Sequence, residues 1–244
     1  MHFPPHRVHP SHRGTVVLWI VPVLLAFGGW LCAHLGWDLM LAQSFYNAHA
    51  GNFPARLNPI LELYGHRGAR LFLECSWLAL VIAALATRLT PRFKVHQRLL
   101  WATVFAMIIG PVLVSALKNL TTPVCPWDMP RFGGHAPLSD HFWAWDAPVG
   151  HCFPSGHAAA GFSLIALFMA GRATQQRWLE TLGLTLALVV GGSLGLLRMV
   201  QGAHFLSHTL WSGAIDWVGA WLIFWAAGLP TFRSNTLNHA SHPV

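Results

Sequence analysis

Long apolar runs alternate with short polar connections along this chain. Six runs approach the roughly 20 residues that a helix needs to cross a bilayer. They cover residues 15–36, 70–87, 99–117, 156–171, 180–198 and 207–228. Runs of this length suit helices, and a helix satisfies its own backbone inside a membrane. The pattern therefore predicts an all-α polytopic membrane protein with six transmembrane helices. A polar, His/Pro-rich tail (1–14) precedes the membrane domain (15–228), and a second polar tail (229–244) follows it. The first run is longer than a signal-peptide core and no small-residue cleavage site closes it, so it reads as a retained helix. No internal repeat is visible. The connection 37–69 holds two shorter stretches, Asp38 to Tyr46 and Leu57 to Tyr64, that read as short amphipathic helices at the interface. They serve either as a lid over a lipid headgroup or as simple interfacial padding.

Composition agrees with a membrane setting. The chain is 54% hydrophobic and 9% charged, against roughly 25% charged in a soluble domain. Its 13 tryptophans fit aromatic anchoring at both interfaces. The net charge of +7 sits mainly in the connections, where topology and acidic lipid explain it better than nucleic acid does.

The basic residues set an orientation. Arg7, Arg13, Arg88, Arg92, Lys94, Arg98, Arg172, Arg177 and Arg233 fall on one side of the six runs. Arg56, Arg67, Arg70, Lys118, Arg131 and Arg198 fall on the other, spread over longer loops. The denser side is expected to be cytoplasmic, with both termini inside an inner membrane. On that topology Lys118 ends the third run at the outer face. Ser155-Gly156-His157 opens the fourth there, Arg198 ends the fifth, and His204 precedes the sixth.

That convergence has a chemistry. Pro154-Ser155-Gly156-His157 makes a helix start whose free N–H groups attract phosphate. Gly156 lets the backbone approach an anion, and Ser155 caps the helix or donates to the ligand. Lys118 and Arg198 add fixed positive charge for phosphoryl oxygens. Of two histidines at one phosphate, one attacks phosphorus and the other protonates the leaving oxygen. No metal or other cofactor is called for, and no zinc-type Cys/His spacing is present.

Lys118, Pro154-Ser155-Gly156-His157 and Arg198…His204 resemble the three signature motifs of the type 2 phosphatidic acid phosphatase/vanadium haloperoxidase superfamily, in its membrane branch. The likeness spans about residues 100–220. It implies His204 as nucleophile, a phosphohistidine intermediate, His157 as general acid, and Lys118, Ser155, Gly156 and Arg198 as phosphate ligands. Two positions depart from the pattern. Cys125-Pro126 stands where the first motif has Arg-Pro, and Arg131 is the candidate to supply the lost charge. His208 stands where the third motif has the aspartate that holds the nucleophile's ring. A neutral imidazole still accepts a hydrogen bond, and Asp128, Asp140 and Asp146 are the loop carboxylates available instead.

Cys125 and Cys152 bracket the outer loop. In an oxidising compartment they either pair or stay free; closing that loop contributes on the order of 3–4 kcal/mol. Cys32 and Cys75 read as ordinary thiols in apolar spans. Asp216, halfway along the sixth run, is expected inside the bundle, protonated or paired.

The leading expectation is a lipid phosphate or pyrophosphate phosphatase acting at the periplasmic face. Candidate substrates are undecaprenyl pyrophosphate, lipid A phosphate, phosphatidylglycerol phosphate and phosphatidate. A lipid phosphotransferase shares the same first step. A non-catalytic phospholipid-binding or transport protein, or a structural partner in an envelope complex, belongs to a different class. The partners expected are the lipid substrate and the bilayer; protein partners are not readable.

Overall fold

The computed structural model describes residues 12–145, 147–148, 150–229 and 231. Arg7, Asp146, Arg233 and the histidines of both tails except His12 lie outside the described residues. Among the described residues nine α-helices follow one another: α1 (His12–His34), α2 (Trp37–Phe45), α3 (Ala69–Leu89), α4 (Gln97–Lys118), α5 (Gly156–Phe162), α6 (Ile165–Thr174), α7 (Arg177–Leu186), α8 (Gly192–Val200) and α9 (Leu206–Ala226). Among the described residues no strand forms, only two isolated bridges, Asn47–Asn52 and Thr121–Trp143.

α9 is the hub. It packs against α1, α4, α5 and α6, and its core face carries Trp217, Ala220 and Phe224 beside Met107 and Ala106 of α4 and Leu164 and Met169 around α6. Trp217 Nε1 donates to the Leu18 carbonyl at 3.0 Å, tying α9 to α1. Glycines permit the closest crossings: a Cβ on Gly161 would stand 2.5 Å from the Gly191 Cα.

By length and apolarity three helices can cross a membrane: Ala69–Leu89, Arg92–Lys118 and Arg177–Val200. A fourth counts if Leu18–His34 and Trp37–Phe45, bent by 72°, form one span. The expectation of six is thus met only in part, for identifiable reasons. The run 156–171 is broken at Ser163–Leu164 into α5 and α6. α9 is 21 residues long but buries Ser207, His208, Thr209, Ser212 and Asp216. The run 180–198 is continuous from α7 to α8 through a wide π-type turn at Ala187–Gly191.

The first outer connection differs from its expected shape. Asp38 to Tyr46 is largely the helix α2. The second stretch is a short 3-10 turn at Pro54–Leu57, followed by a π-helix at Leu61–Gly68 that runs into α3. Asp216 lies inside the bundle against Gly110 of α4, and neither carboxyl oxygen has a hydrogen-bond partner among the described residues.

Candidate phosphate site

The Arg-x5-His spacing is a helix stop. Gly202, at φ 72°, takes the left-handed conformation that ends helices most easily. Gly202 N donates to the Met199 carbonyl at 2.9 Å and Ala203 N to the Arg198 carbonyl at 2.8 Å, the two bonds of a Schellman motif. The chain thereby folds back over the end of α8, setting His204 near Arg198. Arg198 Nη1 donates to Oε1 of the buried Gln201 at 2.9 Å.

α9 then begins with a cap from far away. Asp38 of α2 accepts the Ser207 N–H at 3.0 Å and the Ser207 hydroxyl. The carboxylate therefore satisfies a free N–H in the first turn, as a local cap would, and fixes where His204 and His208 stand.

Opposite them, α5 starts at Gly156 with Ser155 as its cap residue. The serine side chain makes no capping bond. Its hydroxyl is fully buried and has no partner among the described residues. The Ser155 backbone is wired to α9: its N–H donates to the His208 carbonyl at 3.3 Å and its carbonyl accepts from Ser212 Oγ at 2.9 Å. The preceding Phe153–Pro154 peptide is cis. Lys118 Nζ stands 3.9 Å from where a Cβ on Gly156 would be, so the ammonium overhangs the α5 start.

His204 is the centre of this arrangement. It is 4% exposed, and its pKa lies well below the usual 6.5, first because of burial, then because of His208, Lys118, Arg198 and His157. Burial and the surrounding positive charge therefore favour its neutral imidazole. Its Nδ1 lies 3.5 Å from Nδ1 of His208 and 3.5 Å from Sγ of Cys152. Cys125 and Cys152 form a disulfide, with Cα atoms 5.2 Å apart. Cys125, Cys152 and His204 have the proximity of a metal site, but with the sulfurs bonded to each other only the imidazole is an ordinary donor.

The two departures from the motif pattern thus meet at one atom. Cys125, in place of the arginine, clasps the Cys152 that touches His204 Nδ1. His208, in place of the aspartate, faces the same nitrogen and also hydrogen-bonds the Cys152 backbone. The structure brings Lys118, Ser155, Gly156, His157, Arg198, His204 and His208 together. Arg131 is exposed in the turn Pro130–Phe132. Asp128 accepts from Nε1 of its own neighbour Trp127 at 2.7 Å, rather than holding a histidine.

Sequence reasoning missed Asp38, Phe53 and Trp127. Phe53 is 1% exposed and forms an aromatic cluster with Tyr46 and Phe132. A Cβ on Gly202 would come within 2.4 Å of its ring. The first outer connection is therefore anchored on the turn that presents His204. An apolar cavity of about 450 Å³ opens between α1, α4 and α9, lined by Trp19, Val23, Leu113, Leu117, Trp211 and Leu222 among others.

Residues 99–230 match the PAP2 superfamily. The chain belongs to that superfamily. It is 28% identical over 191 residues to the lipid A 4'-phosphatase of Francisella tularensis subsp. novicida (strain U112), covering 77% of this chain and 84% of that protein. The crystal structure of a transmembrane PAP2 type phosphatidylglycerolphosphate phosphatase from Bacillus subtilis superposes with a TM-score of 0.46 at 17% identity, over 89% of this chain and 98% of that one. With its membrane-spanning helices, the chain is a multi-pass membrane protein of the PAP2 superfamily, and its family and its likeness to a lipid A 4'-phosphatase support a phosphoric monoester hydrolase.

Proposed function

We propose that this PAP2 protein hydrolyses a lipid phosphate at the outer face of a cytoplasmic membrane through a phosphohistidine on His204. The observation that carries the reading is the environment of His204: a neutral, buried imidazole facing Lys118, Arg198 and His157. Nε2 of His204 attacks phosphorus in line while His157 gives its proton to the departing lipid oxygen, so one P–N bond forms as one P–O bond breaks. His157 then takes a proton from water, which displaces His204 and leaves inorganic phosphate. Lys118, Arg198, the Ser155 hydroxyl and the α5 N–H groups hold the oxygens as charge develops on them. His208 takes the orienting place that the motif gives to aspartate, accepting the hydrogen of His204 Nδ1 so that Nε2 keeps its lone pair.

Two further observations support the lipid and the compartment. The apolar cavity reaches Leu117, next to Lys118, which suits a substrate whose hydrocarbon stays in the bilayer while its phosphate meets the site. The Cys125–Cys152 disulfide suits an oxidising, extracytoplasmic side. The relative from Francisella makes a lipid A phosphate the first substrate to test.

The test is phosphate release by detergent-purified protein from lipid A, phosphatidylglycerol phosphate, phosphatidate and undecaprenyl pyrophosphate, beside His204→Ala and His157→Ala. Release by the parent and its loss in both variants is expected. Absence of release from every lipid, with a folded parent, would overturn the reading.

A further inference from the structure

Two arginines share one indole. The Cζ of Arg198 lies 5.4 Å from the Trp127 ring centre, and the Cζ of Arg56, from the first outer connection, lies 4.2 Å from it. The two guanidinium carbons are therefore no farther apart than those distances taken end to end.

Their positions are fixed from both sides. Trp127 N donates to the Gly202 carbonyl at 2.9 Å, which seats the indole on the same turn that presents His204. Phe53 packs on Gly202 from the other connection, and Arg56 N donates to the Phe53 carbonyl at 3.0 Å, one 3-10 turn from that anchor. Arg56 is thus delivered to the rim by an anchored segment and held over the indole by a cation–π contact.

Its charge is not spent on a carboxylate among the described residues. The ion pairs among the described residues are Arg70–Glu74 and Arg172–Glu180, and Arg56 is in neither. Arg56 is exposed where Lys118 and Arg198 are half-buried, so Arg56 is the outer cation of the three. The first motif lacks its arginine at Cys125, and Arg56 restores a cation to this edge of the site.

We propose that Arg56 is a specificity-determining residue: it binds a second anionic group of the substrate, adjoining the phosphate held by Lys118 and Arg198, and so favours lipid diphosphates over monophosphates of the same chain. This rests on the phosphatase reading above. Guanidinium forks suit phosphate oxygens in two-point contacts, which a lysine copies poorly.

The experiment compares kcat/KM of the full chain in detergent for a prenyl diphosphate and the matching prenyl monophosphate, in the parent, Arg56→Gln and Arg56→Lys. The diphosphate-to-monophosphate ratio is expected to fall on the order of tenfold in Arg56→Gln and to recover in part in Arg56→Lys. A merely structural arginine would lower both substrates together and leave the ratio at its parent value, which overturns the proposal. Binding of inorganic pyrophosphate against inorganic phosphate, read as thermal stabilisation of the same proteins, decides the matter separately from turnover. Stabilisation by pyrophosphate above phosphate in the parent, lost in Arg56→Gln, is expected. Equal stabilisation of both proteins overturns the role of Arg56. A parent that cleaves neither lipid overturns the phosphatase reading and leaves the pyrophosphate comparison standing.

Discussion

Asp38 accepts both the backbone N–H and the hydroxyl of Ser207, a residue 169 positions further along the chain. A buried carboxylate on α2 thereby caps α9 one turn beyond the candidate nucleophile. Asp38→Ala leaves two buried donors unsatisfied, at about 1–3 kcal/mol for each. The expected outcome is a thermal midpoint several degrees lower and a fall in kcat as His204 loses its fixed position. Ser207→Ala removes only the hydroxyl bond and is expected to cost less on both counts.

Gly202→Ala meets two obstacles at once. Its φ of 72° costs a side chain about 1–2 kcal/mol, and the new Cβ falls 2.4 Å from the Phe53 ring. Loss of activity exceeding loss of fold is expected, because the strain falls on the turn between Arg198 and His204. Phe53→Ala in the same background makes room for the methyl and tests that account: kcat in the double variant should exceed that of Gly202→Ala alone.

The depressed pKa of His204 gives a pH dependence with a definite sign. In the unfolded chain the ring protonates near its ordinary 6.5, and in the fold it stays neutral well below that. Its contribution to stability is therefore constant at high pH and is lost as pH falls below 6.5. On the proposed mechanism the neutral ring is the competent form, so the acid limb of kcat/KM due to His204 is expected below 6.5. Thermal unfolding and a pH–rate profile over the same range check both statements.

The Cys125–Cys152 disulfide is expected to matter for more than stability. Its Cys152 sulfur is in contact with His204 Nδ1 at 3.5 Å, so reduction frees a wall of the His204 pocket as well as a loop. A phosphine reductant should add two thiols to the count, lower the thermal midpoint by an amount matching about 3–4 kcal/mol, and reduce kcat. A Cys125→Ser/Cys152→Ser protein should behave as the reduced parent does.

Gly161 tests the bundle itself. A methyl there meets the Gly191 backbone at 2.5 Å, an obstacle that no side-chain rotation relieves. Gly161→Ala is expected to destabilise by roughly 1–3 kcal/mol, read as a lower detergent melting temperature. The site residues of α5 and α8 should then be displaced together.

How much of this was legible beforehand depended on sequence distance. Ser155, Gly156, His157, Arg198 and His204 lie in short stretches whose spacing encodes a helix start and a helix stop, and these are local facts. Lys118 joined them through topology alone. Hydropathy overstated the uninterrupted spans because averaging over a window hides the break at Ser163–Leu164, and it cannot tell the buried polar stripe of α9 from a lipid-facing surface. Asp38, Phe53, Arg56 and Trp127 were unreadable for another reason. Each acts through a contact with a distant segment, and an Asp or Arg in a loop carries no mark of its partner. Arg56 illustrates the same limit: the fold sets it over the Trp127 ring that Arg198 also approaches, and nothing in the sequence around it announces that contact.

The apolar cavity between α1, α4 and α9 has a kinetic meaning. Leu117, the residue before Lys118, is part of its lining, so on the proposed function a lipid's hydrocarbon would lie against this apolar surface while its phosphate meets the site. For a lipid phosphatase, the substrate then arrives by lateral diffusion within a leaflet, whereas inorganic phosphate departs into water. The concentration that saturates such an enzyme is a mole fraction of the membrane surface. Diluting the substrate with inert lipid at constant total molarity would slow the reaction, as if the substrate had been withdrawn.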